Sequence, residues 1–553
     1  MTIPPKGSAA SAGLPHRNSE TFSERFLQHR HASSRTRMMG KKPLRVMKFG
    51  GTSVGDASCI GRVTEIIRAA SRESEVVVVV SAMSGVTNKL VAAAGYAEAA
   101  DEKAASSIFA ELRRQHTATA GELIRSATER SRIEGEMEAL FQAGDRLCQG
   151  TMLLGELSPR TRDAISSLGE RLSVLLVAAA LNQLEVPGEA IEATELIVTD
   201  ACHGGADPCM EATRQRCEAR LRPVLQRGVI PVVTGFIGAT ADGVLTTLGR
   251  GGSDYSATIV GAVLKSDEVI IWTDVDGLQT ADPRLVPDAC TIPEVSYREA
   301  AELAHFGAKV LHPKTLRALA QCGIPLWIRN TFAPERLGTK ITPAGPATPS
   351  GAGAVTALSA MSEVALITIG GPDFSGVTDV LGRTFRATAA VRAEVLLISQ
   401  ASSQNEVCLV ISSAMAQRTI EALRFEFADD LARDLTHQIT LDSTVAIVTL
   451  VGQGIKSIPG IVSCAFGALA RENVNIVAIA QGASECTISF VVAKQDVRSA
   501  IANIHREIGL SDGGANLFGP FFGPVIASGE RSSAQAYSIP ANPVPTSDVP
   551  AQK

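Results

Sequence analysis

Leu44-Arg45-Val46-Met47-Lys48-Phe49-Gly50-Gly51-Thr52-Ser53 joins an apolar strand pattern directly to a pair of glycines. Because glycine has no Cβ, backbone N–H groups in such a turn can approach an anion closely. Lys48, at the end of the strand pattern, adds a positive charge. The stretch therefore predicts a phosphate-binding loop, in which Gly50, Gly51 and Ser53 present amides and Lys48 offsets charge on a phosphoryl group.

Two later segments have the same character. Leu248-Gly249-Arg250-Gly251-Gly252-Ser253-Asp254 and Trp272-Thr273-Asp274-Val275-Asp276-Gly277 each follow or interrupt an apolar strand pattern. Taken alone, each is also explained as an ordinary turn, and no glycine loop of the chain fits the Gly-x-x-x-x-Gly-Lys-Ser/Thr pattern of a Walker loop. Their joint occurrence favours a phosphate site of different construction.

Strand-like apolar runs alternate with helical patterns up to about residue 330. The clearest strands lie at residues 76–81, 229–234 and 268–273, and the clearest helices at 171–181 and 256–264. Residues 91–157 are charged and Ala-rich, which indicates a helical excursion over the substrate side. The alternation predicts an α/β catalytic domain at residues 44–335 with a largely parallel central sheet.

The C-terminal part contains an internal repeat. Residues 366–371 match 447–452, and residues 397–402 match 478–483, which places Gln400 and Gln481 81 residues apart. Both copies have the pattern strand, glycine turn, helix, strand, hairpin, strand, helix, so the repeat predicts two small α+β domains. Their expected bounds are 357–440 and 441–510, after a Pro- and Gly-rich linker at 336–356.

Composition excludes several classes of protein. The net charge is -5, and no basic stripe interleaved with aromatic residues suggests a nucleic-acid partner. No apolar run approaches the roughly 20 residues that cross a bilayer. The ten cysteines are scattered singly, without disulfide or zinc spacing, which fits a reducing, cytoplasmic location.

The two ends of the chain are polar and are expected to be disordered. They cover residues 1–43 and 511–553, the second being rich in Pro, Ser, Gly and Ala. A transit peptide is an alternative for the first, although Glu20 and Glu24 fit it poorly, and translation could instead begin at Met38 or Met39.

The motifs, in this order, carry a resemblance to a known family. Together with Ser84-Gly85-Val86-Thr87, Gly169-Glu170-Arg171-Leu172 and residues 306–313, they make the chain resemble the aspartokinases of the amino-acid kinase family over about residues 45–509. It is most similar to the kinase half of threonine-sensitive bifunctional aspartokinase–homoserine dehydrogenases. The resemblance implies an amino-acid kinase fold followed by two ACT domains, with ATP and Mg2+ as cofactors. It also implies phosphorylation of the L-aspartate side-chain carboxylate to 4-phospho-L-aspartate, the first step of the lysine, threonine and methionine pathway.

The resemblance also implies roles for individual residues. It places Lys48 and Asp254 in catalysis, with Asp254 helping to orient the lysine and the phosphates. It places Thr87, Glu170, Arg250 and Ser253 in the aspartate site, and Thr273, Asp274, Arg284 and Lys309 in the nucleotide site. Arg250 suits the substrate α-carboxylate because a guanidinium group offers it two parallel hydrogen bonds. Glu170 would meet the substrate ammonium group. The acceptor carboxylate is ionised at pH 7, so no general base is required.

Structural explanations stay open for several of these residues. Glu170 can be a first-turn glutamate favoured by the helix dipole, and Asp254 can be an N-cap. Asp276-Gly277 is sufficient by itself to form a turn. Gln279 stands where some aspartokinases place a tyrosine against the nucleotide, which puts aromatic packing there in question. His312, before Pro313, is assigned a structural role at a helix start.

The repeated domains predict regulation by an amino acid. Gln400 and Gln481 lie at matching strand ends, where their amides can bind an effector or merely cap sheet edges. The resemblance makes threonine the first expected inhibitor and lysine the second, and ACT domains usually pair, so a homodimer or higher oligomer is expected. No Gly-x-Gly-x-x-Gly follows a strand pattern, so a dehydrogenase activity is not expected. A glutamate kinase-like enzyme and an inert amino-acid sensor are the alternatives.

Overall fold

The computed structural model describes residues 42–307, 311–346, 355–370, 377–400, 406–432, 438–453, 455, 458, 460–480 and 485–512. The expected disordered ends, residues 1–43 and 511–553, lie outside these ranges except for two residues each. The described chain forms two compact units, residues 42–274 with Gln321–Glu335 and residues 275–320 with 336–512. The segment 275–320, which we expected within the catalytic domain, thus belongs to the same compact unit as the C-terminal half.

The strands are numbered along the chain. They are β1 Leu44–Phe49, β2 Glu75–Val80, β3 Gly188–Ile191, β4 Val198–Thr199, β5 Ile230–Thr234, β6 Ile237–Thr240, β7 Leu245–Thr247, β8 Glu268–Thr273, β9 Glu294–Ser296, β10 Leu326–Asn330, β11 Thr339–Thr342, β12 Ala357–Met361, β13 Val364–Gly370, β14 Val395–Gln400, β15 Glu406–Ser412, β16 Gln438–Asp442, β17 Val445–Val451, β18 Ile476–Ala480 and β19 Thr487–Ala493.

The helices are numbered in the same way. They are α1 Ala57–Glu73, α2 Val86–Glu98, α3 Glu102–Leu123, α4 Ala127–Leu154, α5 Pro159–Ser166, α6 Leu168–Gln183, α7 Met210–Gln226, α8 Gly252–Leu264, α9 Tyr297–His305, α10 Pro313–Cys322, α11 Val377–Ala390, α12 Ala416–Glu426, α13 Ala428–Ala432, α14 Ile461–Arg471 and α15 Val497–Ile508.

The first unit contains a small sheet with the order β4-β6-β7 and a larger one to which it contributes six parallel strands. Their order is β3-β5-β2-β1-β8-β10. The chain leaves β1 toward β2 on one side and later returns to β8 on the other, so the strand order reverses beside β1. The carboxyl ends of the strands at such a switch point open a crevice where ligands bind. β1 and β8 end at Phe49 and Thr273, where two of the three glycine motifs lie.

Helices cover both faces of this sheet, which explains its continuous apolar strands. Val76 to Val80 of β2 are all buried, as expected for a parallel strand packed on both sides. The helical stretch 159–183 has the length and composition of a membrane span, but 83% of its most apolar window is buried within the protein, as in a core helix. The expected α/β architecture, the helical excursion in α2–α4 and the individual strands and helices of residues 76–273 are confirmed.

The second unit contains two antiparallel sheets of four strands. Their orders are β14-β15-β13-β16 and β12-β17-β19-β18. Helices α11 and α12 pack on the first sheet, and α14 and α15 on the second. The repeated order of strands and helices agrees with the pattern expected from the sequence.

The expected domain boundaries in this unit need correction. β12, which we expected to open the first repeat at residue 357, pairs instead with β17 of the second sheet. β16 runs across the expected boundary at residue 440 and pairs with β13 of the first sheet. The expected linker at 336–356 contains β11, which pairs with β9. Each exchanged strand covers a sheet edge that would otherwise expose unpaired backbone groups.

Candidate active site

The turn after β1 is held by backbone hydrogen bonds. Gly50 N donates to Trp272 O of β8 at 3.1 Å, and Ser53 N donates to Gly50 O at 2.9 Å. A Cβ on Gly51 would lie 3.0 Å from Ala82 O, so the turn approaches the end of β2 too closely for a larger residue. A Cβ on Gly50 would lie 3.5 Å from the Lys48 ammonium nitrogen. The glycines therefore keep the space beside this ammonium group open.

Lys48 is held in place by an acidic partner. Its side chain is buried, with the residue 7% exposed, and its ammonium group pairs with the carboxylate of Asp254. Asp254 is not the N-cap considered above, because α8 begins at Gly252 and Gly251 is its N-cap. As the third residue of α8, Asp254 instead directs its carboxylate to Lys48 at the positive end of the helix. The interpretation in which Asp254 orients the lysine agrees with this geometry.

Glu170 is a buried carboxyl group with an unused oxygen. It lies in the first turn of α6, is 3% exposed, and its Oε2 atom has no hydrogen-bond partner among the described residues. Burial raises the pKa of Glu170 to about 8, although a hydrogen bond from the Ala82 backbone N–H and the nearby charge of Lys48 act to lower it. A carboxyl group buried without a full set of partners suits a ligand that brings hydrogen-bond donors.

Arg250 lies on an exposed turn between two glycines in left-handed conformations, Gly249 with φ +79° and Gly251 with φ +70°. No carboxylate of the described residues pairs with its guanidinium group. Ser253 is half-buried and touches Gly235, where a Cβ would lie 2.6 Å from the Ser253 Cβ atom. Thr87 is half-buried as the second residue of α2. All three residues follow carboxyl ends of strands or begin helices in the first unit.

The remaining predicted residues of the first unit differ in exposure. Thr273 ends β8 and donates its hydroxyl to the carboxylate of the exposed Asp274 at 3.2 Å. Ser53 is fully buried, and its hydroxyl bonds to Thr331 Oγ1 at 2.7 Å and to Trp272 O at 3.4 Å. Its side chain therefore fastens the turn to the ends of β8 and β10. Its backbone amide, which was expected to face phosphate, donates instead to Gly50 O at 2.9 Å.

The other predicted residues lie in the second unit or outside the description. Arg284 is exposed and pairs with Asp282 at 2.5 Å. Gln279 donates its amide to Thr291 Oγ1 at 3.0 Å, and Gln400 ends β14 with an exposed side chain. Lys309 and Gln481 fall outside the described residues.

The segment around Arg284 packs on the core of the second ACT sheet. Ala281 and Val286 belong to the same apolar cluster as residues of β17, β19 and α15. Thr280 Oγ1 bonds to His505 Nε2 of α15 at 2.9 Å. A segment predicted to contact the nucleotide is thus held by the domain predicted to sense the effector.

Several residues that shape the site were given no role in the sequence analysis. Trp272 stacks on Phe49 with ring centres 6.0 Å apart, and the Arg329 guanidinium lies 4.8 Å from its ring centre. Ala82 lies against both Gly51 and Gly169, whose absent Cβ atoms permit the approach. Asp163, a buried carboxylate on α5, carried no signal in the sequence.

Comparisons with known proteins agree with this arrangement. Residues 43–330 match the amino acid kinase family, and residues 367–427 and 448–508 match an ACT domain. Aspartokinase 1 of Arabidopsis thaliana, a chloroplastic protein, is 33% identical over 475 residues, which cover 83% of this chain and 79% of that protein. The chain belongs to the aspartokinase family. The predicted family and fold class are therefore confirmed.

Longer members of this family match as well. Bifunctional aspartokinase/homoserine dehydrogenase 2 of Arabidopsis thaliana, also chloroplastic, is 33% identical over 472 residues, or 84% of this chain and 51% of that protein. The bifunctional protein of Haemophilus influenzae is 32% identical, covering 84% of this chain and 56% of its own length. The chain thus spans about half the length of these bifunctional relatives.

Solved aspartokinase structures have the same architecture. Aspartokinase III of E. coli in complex with aspartate and ADP is 30% identical to this chain, with a TM-score of 0.71. The match covers 84% of this chain and 99% of that chain. The same enzyme in complex with lysine and aspartate is 29% identical, with a TM-score of 0.68 and the same coverage.

Proposed function

We propose that this chain is an aspartate kinase that transfers the terminal phosphoryl group of ATP to the side-chain carboxylate of L-aspartate. The observation that carries the proposal is the buried Lys48–Asp254 pair beside the open glycine turn and the underbonded Glu170 carboxyl group. The relatives named aspartokinases, and the E. coli enzyme that binds aspartate and ADP, support the choice of both substrates.

The reaction needs placement and charge compensation more than proton transfer. An oxygen of the ionised aspartate side chain attacks the terminal phosphorus, and the bond from that phosphorus to the bridging oxygen of ADP breaks. No proton has to move, since the acceptor has a pKa of about 3.9 when free. Lys48 would stabilise the charge on the transferring group, while the Gly51 amide would donate to a phosphate oxygen.

Two residues would bind the α-carboxylate and the α-ammonium group of aspartate. Arg250 would hold the α-carboxylate, because its guanidinium group is exposed and paired with no carboxylate of the described chain. Glu170 would receive the α-ammonium group on its unused oxygen. The arriving positive charge favours the ionised form of Glu170, so binding would release the proton that burial retains in the free protein.

Mg2+ would be held mainly by the nucleotide. The described residues contain no group of three or more His, Cys, Asp or Glu side chains that could hold a metal ion. This fits Mg2+, which usually keeps several waters and binds phosphates with only one or two carboxylates. The ion, when bound, would offset the charge of the phosphates.

The ACT pair would make the enzyme sensitive to an amino acid. We expect threonine to inhibit first and lysine second, with Gln400 and Gln481 as effector ligands. The crystal structure of E. coli aspartokinase III with lysine supports an amino-acid effector of this kind. A cytoplasmic homodimer, or a larger homo-oligomer, is the assembly we expect.

The decisive test is an assay of purified chain for aspartate-dependent ADP formation with MgATP. Trapping the acyl phosphate with hydroxylamine identifies the product, and a panel with glutamate separates this function from a glutamate kinase. Threonine and lysine are then added at saturating aspartate and at limiting aspartate. Absence of trappable product from dialysed, folded protein would refute the proposal, whereas inhibition by neither amino acid would refute only the effector assignment.

Arg250→Ala is expected to raise the KM for aspartate about 10- to 100-fold, since a hydrogen bond to a charged group contributes about 1.5–3 kcal/mol. The affinity for ADP, measured by calorimetry, should stay within about twofold. Arg216→Ala, which removes a half-buried arginine of α7 that donates to Ala241 O at 3.5 Å, is the matched control and should change neither value. Equal losses of aspartate and nucleotide affinity in Arg250→Ala would contradict the carboxylate clamp.

A further inference from the structure

Asp163 is a buried carboxylate that binds four donors from two other segments. It lies on α5 and is 2% exposed. Its oxygens accept from His203 Nδ1 at 2.8 Å, Gly204 N at 3.1 Å, Thr247 N at 3.2 Å and Thr247 Oγ1 at 2.6 Å. No Lys or Arg of the described residues pairs with it. A buried charge that depends on so many hydrogen bonds fixes the elements that donate them.

The residues that donate to Asp163 lie next to the Arg250 turn. Thr247 ends β7, and the chain reaches Arg250 three residues later. Gly249 packs against the loop that contains Gly204, since a Cβ on Gly249 would lie 3.0 Å from Gly204 O. Ala206 N donates to Thr247 O at 2.9 Å and closes the contact. Asp163 thus holds both the strand before the turn and the loop against which the turn rests.

Asp163 is also joined to the element that carries Glu170. Ser167 N donates to the backbone oxygen of Asp163 at 3.0 Å, and α6 begins at the next residue. Glu170 follows in the first turn of α6. The same residue therefore connects the positions of the two groups that would bind the ammonium and carboxylate ends of the substrate.

We propose that Asp163 is a positioning residue that sets the place of the Arg250 turn relative to Glu170, and thereby the affinity for the amino-acid end of the substrate. The proposal rests on the proposed function, because it concerns the same aspartate site. Arg250 lies on an exposed turn, so its guanidinium group keeps a fixed position only if the backbone beneath it is fixed. A displacement of about 1 Å in such a clamp is enough to weaken a bidentate contact.

The test is Asp163→Asn, which keeps the size of the side chain but replaces one acceptor oxygen with an NH2 group. That group would face donors such as Gly204 N–H and could not accept from them. We expect the KM for aspartate to rise about tenfold, with the turnover number and the KM for ATP within about twofold of wild type. Asp145→Asn on α4, whose carboxylate pairs with Arg113, is the matched control and should change none of these values.

A double-mutant cycle separates positioning from general support of the fold. If Asp163 acts through Arg250, Asp163→Asn should add less than about twofold to the aspartate KM of Arg250→Ala. Thr247→Val removes only the 2.6 Å hydrogen bond from the Thr247 hydroxyl to Asp163. It should raise the KM for aspartate about threefold without changing the KM for ATP, and it provides the test if Asp163→Asn folds poorly. The proposal would be overturned if the KM for aspartate is unchanged in both Asp163→Asn and Thr247→Val, or if the KM values for aspartate and ATP rise equally. It would also be overturned if the effects of Asp163→Asn and Arg250→Ala on the KM for aspartate multiply fully in the double variant. Wild-type protein without aspartate-dependent turnover would instead overturn the function on which it rests.

Discussion

Lys48→Ala is expected to lower the turnover number for aspartate phosphorylation by about 10²- to 10³-fold, the loss typical of one preorganised group that stabilises transition-state charge. The ammonium group is buried beside the glycine turn, where water cannot replace it freely. Because its effect is greatest as charge moves toward the bridging oxygen, turnover should fall more than ATP affinity. Steady-state kinetics with both substrates varied would measure the two effects separately.

The ion pair with Asp254 requires a control for folding. Removing Lys48 leaves the Asp254 carboxylate without its partner, and a broken buried pair lowers stability. Lys42→Ala, just before the same strand, removes an exposed lysine that donates to Ser71 O at 3.1 Å and should leave turnover unchanged. ADP binding by calorimetry and a thermal midpoint would show whether Lys48→Ala is folded. A folded variant with normal turnover would exclude Lys48 from catalysis.

The local part of the site could be predicted from sequence because it is encoded in short segments. A lysine before two glycines, and an arginine between two others, specify turns whose backbone geometry depends on adjacent residues. Lys48 therefore lies near the end of β1, and Gly51 in the turn that follows it, as the sequence pattern predicted. The partner of Lys48 was not predictable from the turn itself, since the choice between an N-cap and an ion pair for Asp254 depends on a helix start only two residues away.

Features that depend on distant pairing could not be predicted. β12 resembles the first strand of a repeat, but it pairs with β17 across about ninety residues of chain. In the sequence, Asp163 resembles any polar residue on a short helix. Its hydrogen bonds come from His203 and Thr247, which are distant in the chain. The segment at 275–320 is contiguous with the catalytic domain in sequence. Its Thr280 nevertheless bonds to His505 of α15, and its Val286 packs in the apolar core of the second ACT sheet. Local patterns contain no information on such contacts.

The charges of the active site act on one another. Lys48 forms an ion pair with Asp254 and lowers the pKa of Glu170, whereas burial of Glu170 has the larger and opposite effect. With a pKa of about 8, the Glu170 carboxyl group of the free site is largely protonated near neutral pH. Such a site can accept an ammonium group by releasing a proton, which couples aspartate binding to pH.

Glu170→Gln is expected to change both substrate binding and the pH dependence of stability. The variant lacks the charge that would meet the ammonium group, so the KM for aspartate should rise about 10- to 100-fold. In wild type, this KM should fall as pH rises toward 8, because less work is needed to ionise Glu170. The variant should lose that dependence. Kinetics between pH 6.5 and 8.5, with ATP saturating, would measure both effects.

A rise in pH is expected to strengthen aspartate binding by wild-type protein but to lower the stability of its folded state. The pKa of Glu170 is about 8 in the folded protein against 4.5 for the ordinary group, so the unfolded chain ionises first as pH rises. The stability associated with the protonated carboxyl group is complete below about pH 4.5 and is lost as pH rises through about 8. Glutamine resembles the protonated form at every pH. Because each unit of pKa difference is worth roughly 1.4 kcal/mol, the variant should gain on the order of 3 to 5 kcal/mol over wild type above pH 8 and almost nothing near pH 5.

Thermal midpoints of both proteins from pH 5 to pH 9 would test this difference. Glu111→Gln is the matched control, since Glu111 is exposed and its pKa is lowered by the bond from Lys89, so its removal should give no gain at high pH. A Glu170→Gln variant that is less stable than wild type at pH 9 would show that the carboxyl group is ionised and satisfied in the free protein. The same result would remove the physical basis for its role as the ammonium ligand, because an ionised group with all its partners has no unused oxygen to offer.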